Sequence, residues 1–96
     1  MLNTLKVTSV RMSAAGPDAV ESGLLGWVGV ELNDTLQLDG LTLRRTLDGR
    51  LTLSYPARRD TLGKRHSYVR PLNDTTRRHI ERQVFQALGL TERASQ

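Results

Sequence analysis

The chain has 96 residues and a mass of 10.7 kDa, room for one domain of ordinary size and no second core. Apolar residues make up 38% and charged residues 25%, which excludes a disordered tail protein, and no apolar run approaches the ~18 residues of a membrane span. Net charge is +4, and the absence of cysteine excludes a disulfide scaffold, a thiol nucleophile and any cysteine-bearing zinc site.

Leu5 to Met12 mixes Val7, Val10 and Met12 with polar residues and predicts a first strand. Ser13 to Gly23, with Gly16, Pro17 and Asp18, has loop composition and predicts a mobile hairpin connection. Leu24 to Leu32 predicts a second strand. Val28, Val30 and Leu32 share one parity, and Trp27 and Glu31 share the other. Asn33-Asp34 is a turn signal joining it to a third strand, Leu36 to Arg45. There the apolar parity switches between Leu38 and Leu41. A bulge at Asp39-Gly40 restores a common face, and a second tight turn is the rival reading. Leu47-Asp48-Gly49 predicts the next turn. Leu51, Leu53 and Tyr55 then alternate as a fourth strand that Pro56 ends.

Ala57 to Lys64 reads as a polar connection, followed by a short fifth strand from Arg65 to Arg70. Asn73 or Asp74 is suited to cap a helix over Thr75 to Leu88, with Gly89 as its stop. Ile80, Val84 and Leu88 form a stripe able to cover one sheet face. Arg78, Arg82 and Gln86 fall opposite, with His79 nearby, and Phe85 lies at the border, suited to a subunit contact. The expected fold is α+β: one domain over residues 1–96, an antiparallel meandering sheet of four to five strands and one C-terminal helix. Its core spans about 5–89 and residues 90–96 fray. With one Phe, one Trp and two Tyr, leucine must fill a small interior, so a homodimer is expected. The first six residues carry no signal-peptide pattern, and the reading is intracellular, cytoplasmic and without membrane association.

The positive charge is concentrated. Residues 58–82 hold eight basic and three acidic side chains, whereas residues 1–57 hold five and six. Such asymmetry suggests a polyanionic partner, and the alternative is a solvated surface in an Arg-biased chain, since 12 of the 14 basic residues are Arg.

Four segments in order carry a family resemblance. Val7-Thr8-Ser9-Val10-Arg11 is similar to a V-T-D-V-R start, and Leu51 to Arg59 to L-F-V-A-M-P-S-[KR]-[KR]. Tyr68 to Asn73 resembles D-I-A-H-P-I-N, and Thr76-Arg77 with Ile80 and Val84 resembles T-R-x-x-I-x-x-x-V. Over roughly residues 5–88 the chain thus resembles the stage V sporulation protein G (SpoVG) family of septation regulators. Arg70 stands where that family usually has His, Tyr55 replaces Met, and Asp60 to Gly63 departs from T-P-D-G. The resemblance implies a small α+β homodimer that binds DNA or RNA and regulates gene expression. Its basic pair after the fourth strand, associated with nucleic-acid binding, carries over to Arg58 and Arg59.

The candidate nucleic-acid contacts are Arg58, Arg59, Lys64, Arg65, Arg78 and Arg82, because guanidinium forks donate paired hydrogen bonds to phosphate. Arg77 is suited instead to pair with Glu81 at i, i+4. Trp27, Tyr55, Tyr68 and Phe85 favour core or dimer contacts, with Tyr68 the best placed to stack on a base. No phosphate-cradling Gly loop, metal-ligand cluster or nucleophile motif appears, which points away from an enzyme, a cofactor or a small-molecule substrate. The competing reading is a protein-interaction module that offers a sheet edge or the Phe85 border to a partner.

Overall fold

The alternating segments of the first half of the chain pair in chain order. The computed structural model describes residues 5–90 and forms strands β1 (Val7–Ala14), β2 (Leu24–Leu32), β3 (Leu36–Arg45) and β4 (Leu51–Ser54). They make one antiparallel sheet of order β1-β2-β3-β4. The C-terminal helix crosses one face, giving the expected single α+β domain.

The turns follow from residue chemistry. Asn33 and Asp34 both adopt positive φ (53° and 54°), and Thr35 N–H donates to Leu32 O at 3.0 Å. That is a type I′ turn, and Asn and Asp are the non-glycine residues that best tolerate it. Asn33 also bonds to Lys6 through backbone and side chain, which ties the turn to the start of β1. The parity switch in β3 is a bulge. Val28 pairs with Leu41 and Val30 with Leu38, so Asp39-Gly40 stands opposite Gly29 alone. Leu38 and Leu41 thereby return to the same face, and Gly40 takes a φ of 83°.

Three expectations are corrected. Ser13 and Ala14 extend β1, and the supposed mobile loop contains a short helix, α1 (Pro17–Glu21). Pro17 presets the first helical φ and Asp18 sits in the positive first turn. The polar connection after Pro56 is itself a strand, β5 (Ala57–Arg59). It pairs with β6 (Arg65–Ser67), which is shorter than the expected strand and lies in a separate two-stranded sheet. Pro56 ends β4, and the chain then reverses on itself through a tight loop before it can rejoin the main sheet. Phe85, expected at the border of the helix stripe and suited to a subunit contact, is 4% exposed and lies in the core of the domain itself.

The reason for Phe85 lies in how the sheet meets helix α2 (Asp74–Ala87). Asn73 caps the helix, its side chain accepting from Thr76 N–H at 2.8 Å. Ile80, Val84 and Phe85 pack against Val28, Val30, Leu32, Leu41, Leu43, Leu51 and Leu53. Both edge strands also reach the helix: Val7 N–H of β1 donates to Gln83 Oε1 at 2.8 Å, and Leu53 N–H of β4 donates to Glu81 Oε2 at 3.4 Å. A sheet that curls to meet the helix from both sides covers a wider stripe than a flat one, and Phe85 falls inside it. His79, expected near the solvent face, donates from Nε2 to Leu5 O at 2.8 Å.

The helix ends in a Schellman motif. Gly89, at φ 71°, donates to Gln86 O, and Leu90 N–H donates to Phe85 O at 2.8 Å. Leu90, placed in the fraying tail by sequence, therefore packs on the core, and 91–96 lie outside the described residues. No helix among the described residues is long and apolar enough to cross a membrane.

Two glycines in β2 separate backbone crowding from side-chain crowding. A Cβ on Gly26 would meet Ser13 O at 2.4 Å, a backbone atom of the paired strand. A Cβ on Gly29 would meet Asp39 Oδ1 at 2.7 Å, the end of an exposed side chain that can rotate away. Gly26→Ala is expected to destabilise by about 1–3 kcal/mol, as overpacking does. Gly29→Ala should cost clearly less, and urea denaturation of the two variants beside wild type checks the order.

Candidate nucleic-acid interface

The β5–β6 hairpin is built around one carboxylate. Asp60 opens a loop that ends at Gly63, whose φ of 83° suits only glycine well. Asp60 Oδ1 accepts from Leu62 N–H and Lys64 N–H, both at 2.9 Å, and Oδ2 accepts from His66 Nε2–H at 2.7 Å. The His66 hydrogen bond, reinforced by the amides, holds the Asp60 carboxyl below its ordinary range. The only acid of the hairpin is thus committed to its fold, while Arg58, Arg59, Lys64 and Arg65 remain exposed. Among the described residues, no carboxylate forms an ion pair with any of these four.

Arg59 and Arg65 stand directly opposite each other. Like charges in that position oppose strand pairing. Their forks turn apart: Arg59 donates to Gly63 O at 2.8 Å and Arg65 to Tyr55 O at 3.0 Å. Each guanidinium keeps donors free for an anion. Arg58 pairs across the hairpin with His66, and it too lines the groove beside the hairpin.

Arg59 and Arg65 border an open groove of about 330 Å³ that continues onto the sheet through Ser54, Thr42 and Gly40. This is the face that α2 leaves uncovered. Ser13, Trp27, Thr42 and Ser54 form one cross-strand row on it. Trp27 is 47% exposed there rather than buried. Arg44 is also exposed on this face, opposite Thr52. Arg11 lies 3.5 Å from Asp39. Tyr68, at the base of the hairpin, is 68% exposed and donates its N–H to Pro56 O.

Arg78 and Arg82 do not join this group. They project from the outer side of α2, where they line a separate hollow with Arg50, Arg77, Glu81 and Phe85. Arg78 lies 3.7 Å from Asp74. Arg77 bridges Asp74 at 2.9 Å and the buried Glu81 at 3.2 Å, the structural role its spacing predicts. Asp74 is held below its ordinary range mainly by the hydrogen bond from Arg77. Tyr55 is half-buried, its hydroxyl has no hydrogen-bond partner among the described residues, and burial followed by the Glu81 charge pushes its pKa up to about 12.

The six sequence-predicted cations therefore fall into two clusters on opposite sides of the sheet. Trp27, Arg44 and Arg50 were not among them. The signal for Trp27 was present in its parity, which sets it with Glu31 and against Val28 and Val30. Arg44 and Arg50 sit within residues 1–57, which as a whole carry no positive excess. No group of three or more His, Asp or Glu side chains able to hold a metal occurs among the described residues. No family model and no curated protein matches the chain.

The Asp60 ties give the hairpin a pH dependence. Its folded pKa lies below the ordinary aspartate value of 3.8, so the ionised form is favoured by the fold. The contribution is complete above pH 3.8 and is lost as pH falls through the lowered value. Protection of the Leu62 and Lys64 amides, measured by NMR relative to their intrinsic exchange rates, is expected to fall only below that pH, and in Asp60→Ala to be low throughout.

Proposed function

We propose that this chain is a nucleic-acid-binding regulatory protein of the SpoVG kind. It is a cytoplasmic homodimer that contacts the phosphates of DNA or RNA through arginine and takes part in the control of gene expression or septation. The observation that carries the reading is the β5–β6 hairpin: four cations, no ion-pair partner for any of them, and its one carboxylate spent on the loop. A polyanion supplies the charge that this arrangement lacks and relieves the repulsion between Arg59 and Arg65. The groove onto the sheet gives a backbone somewhere to lie. Arg78, Arg82 and Arg50 form a second positive surface on the far side, suited to a second segment of a long nucleic acid.

The protein-interaction alternative finds less support. One amide on each sheet edge is already taken, Val7 by Gln83 and Leu53 by Glu81, which leaves each edge less open to strand addition. Support for the homodimer comes from the small core and from Val20 and Leu47, exposed apolar side chains that border a common hollow beside α1. The proposed activity needs no cofactor, metal or small-molecule substrate.

Fluorescence anisotropy with labelled duplex DNA, single-stranded DNA and RNA tests the proposal. Micromolar or tighter binding is expected, weakening steeply between ~50 and ~200 mM salt. Removing two phosphate contacts in Arg58→Ala/Arg59→Ala should flatten the logarithmic salt slope by about 1.4 on single strands and about 1.8 on duplex. Binding indifferent to salt, or equal in the variant, overturns it. Sedimentation velocity of the unliganded protein checks the dimer.

A further inference from the structure

The sheet face opposite α2 holds the largest side chain of the protein about half in solvent. Trp27 is the single tryptophan, in a chain with only four aromatic residues and a leucine-built core. Burial would have stabilised so small a domain more than any other apolar residue available to it. Its cross-strand neighbours, Ser13 and Thr42, are too small to cover the ring. Two residues along β2, Gly29 contributes no side chain at all. A depression of about 200 Å³ results, walled by Trp27, Arg11, Gly29, Asp39 and Gly40.

From this we infer that the open sheet face is a single-strand site, in which a base stacks on Trp27 while the hairpin arginines hold the neighbouring phosphates. The inference rests on the nucleic-acid reading above and names its substrate class. Three features support it. Gly40 borders both the Trp27 depression and the hairpin groove, so the two are continuous. Trp27 and Ser54 are two strands apart, about 10 Å, which sets the aromatic platform and the guanidinium groups within reach of adjacent nucleotides. The charges are also graded. Asp39, fixed by Arg11 and by Gln37 Nε2 at 3.0 Å, repels a phosphate beside Trp27 yet can accept from the amino group of a base. Phosphate is favoured toward the hairpin cations Arg58, Arg59 and Arg65 and toward Arg44, which no carboxylate pairs among the described residues. A duplex cannot use the platform, because the faces of its bases are already stacked on one another.

The intact chain provides its own probe, since all tryptophan emission comes from Trp27. Unlabelled oligo-dT, oligo-dA, their RNA counterparts and a duplex of equal length would be titrated while emission and anisotropy are followed. Quenching is expected with the single strands and not with the duplex. Trp27→Ala should weaken single-strand binding roughly 5- to 150-fold and leave duplex binding unchanged, and Trp27→Phe should keep most of the affinity. Circular dichroism confirms the fold of each variant. Arg58→Ala/Arg59→Ala should weaken both classes of ligand. Wild-type binding without quenching, or a Trp27→Ala protein that binds single strands like wild type, overturns the single-strand site and leaves the phosphate-binding reading standing. Absence of binding to every oligonucleotide overturns both. Loss of self-association in Trp27→Ala with unchanged oligonucleotide affinity reassigns the face to the dimer and overturns the inference.

Discussion

One helix has to serve a four-stranded sheet. A sheet has two faces and two edges, and α2 can cover only one face. The chain resolves this by curling the sheet around the helix, so that Gln83 meets the free amide of Val7 on one edge and Glu81 that of Leu53 on the other. The apolar stripe of the helix fills the concave side. The side facing away from α2 is then left without a helix-packed core, and its residues are exposed or half-buried. Its residues are accordingly mostly polar or charged, among them Ser13, Arg11, Glu31, Gln37, Asp39, Thr42 and Ser54, with Trp27 as the large apolar side chain. Glu81 shows how tightly the arrangement is drawn: it is 5% exposed, and its charge is balanced by Arg77 one turn away while it accepts from Leu53.

The same sequence uses one loop design twice. Thr46 to Gly49 and Asp60 to Gly63 each close with a bond from the glycine N–H to the first residue's carbonyl, and each glycine has φ above 80°. At the first loop the hairpin continues the main sheet. At the second, Pro56 has already broken the ladder, and the hairpin projects as a separate arm. Position, rather than loop chemistry, converts a structural turn into a charged arm beside the open face.

Much of the fold was legible in the sequence because alternation is a local property. Leu51, Leu53 and Tyr55 announce a strand whatever surrounds them, and Leu38 and Leu41 announce a bulge once they must share a face. The helix and its cap were readable from Asn73 and the Ile80, Val84, Leu88 spacing. Strand pairing beyond Pro56 was not, since three-residue strands carry too little pattern to distinguish from loop. The curl of the sheet is a property of the whole assembly, which is why the burial of Phe85 and the contact of His79 escaped a reading based on helix faces alone. At the candidate site, charge counting found the hairpin cations, and it also grouped Arg78 and Arg82 with them because sequence distance ignores the sheet that lies between. Trp27 was passed over because aromatics favour interiors on average, and its parity spoke against that average.

No side chain from 57 to 67 belongs to the hydrophobic core or packs against it. Opening the arm therefore exposes little apolar surface, and a few hydrogen bonds stand against the repulsion of two facing guanidinium groups. The balance is set by counterions. Dilute electrolyte leaves the repulsion unscreened and loosens the arm, whereas concentrated electrolyte tightens it, and the leucine core responds to neither. The ionic medium thus governs the order of one small element independently of the stability of the whole.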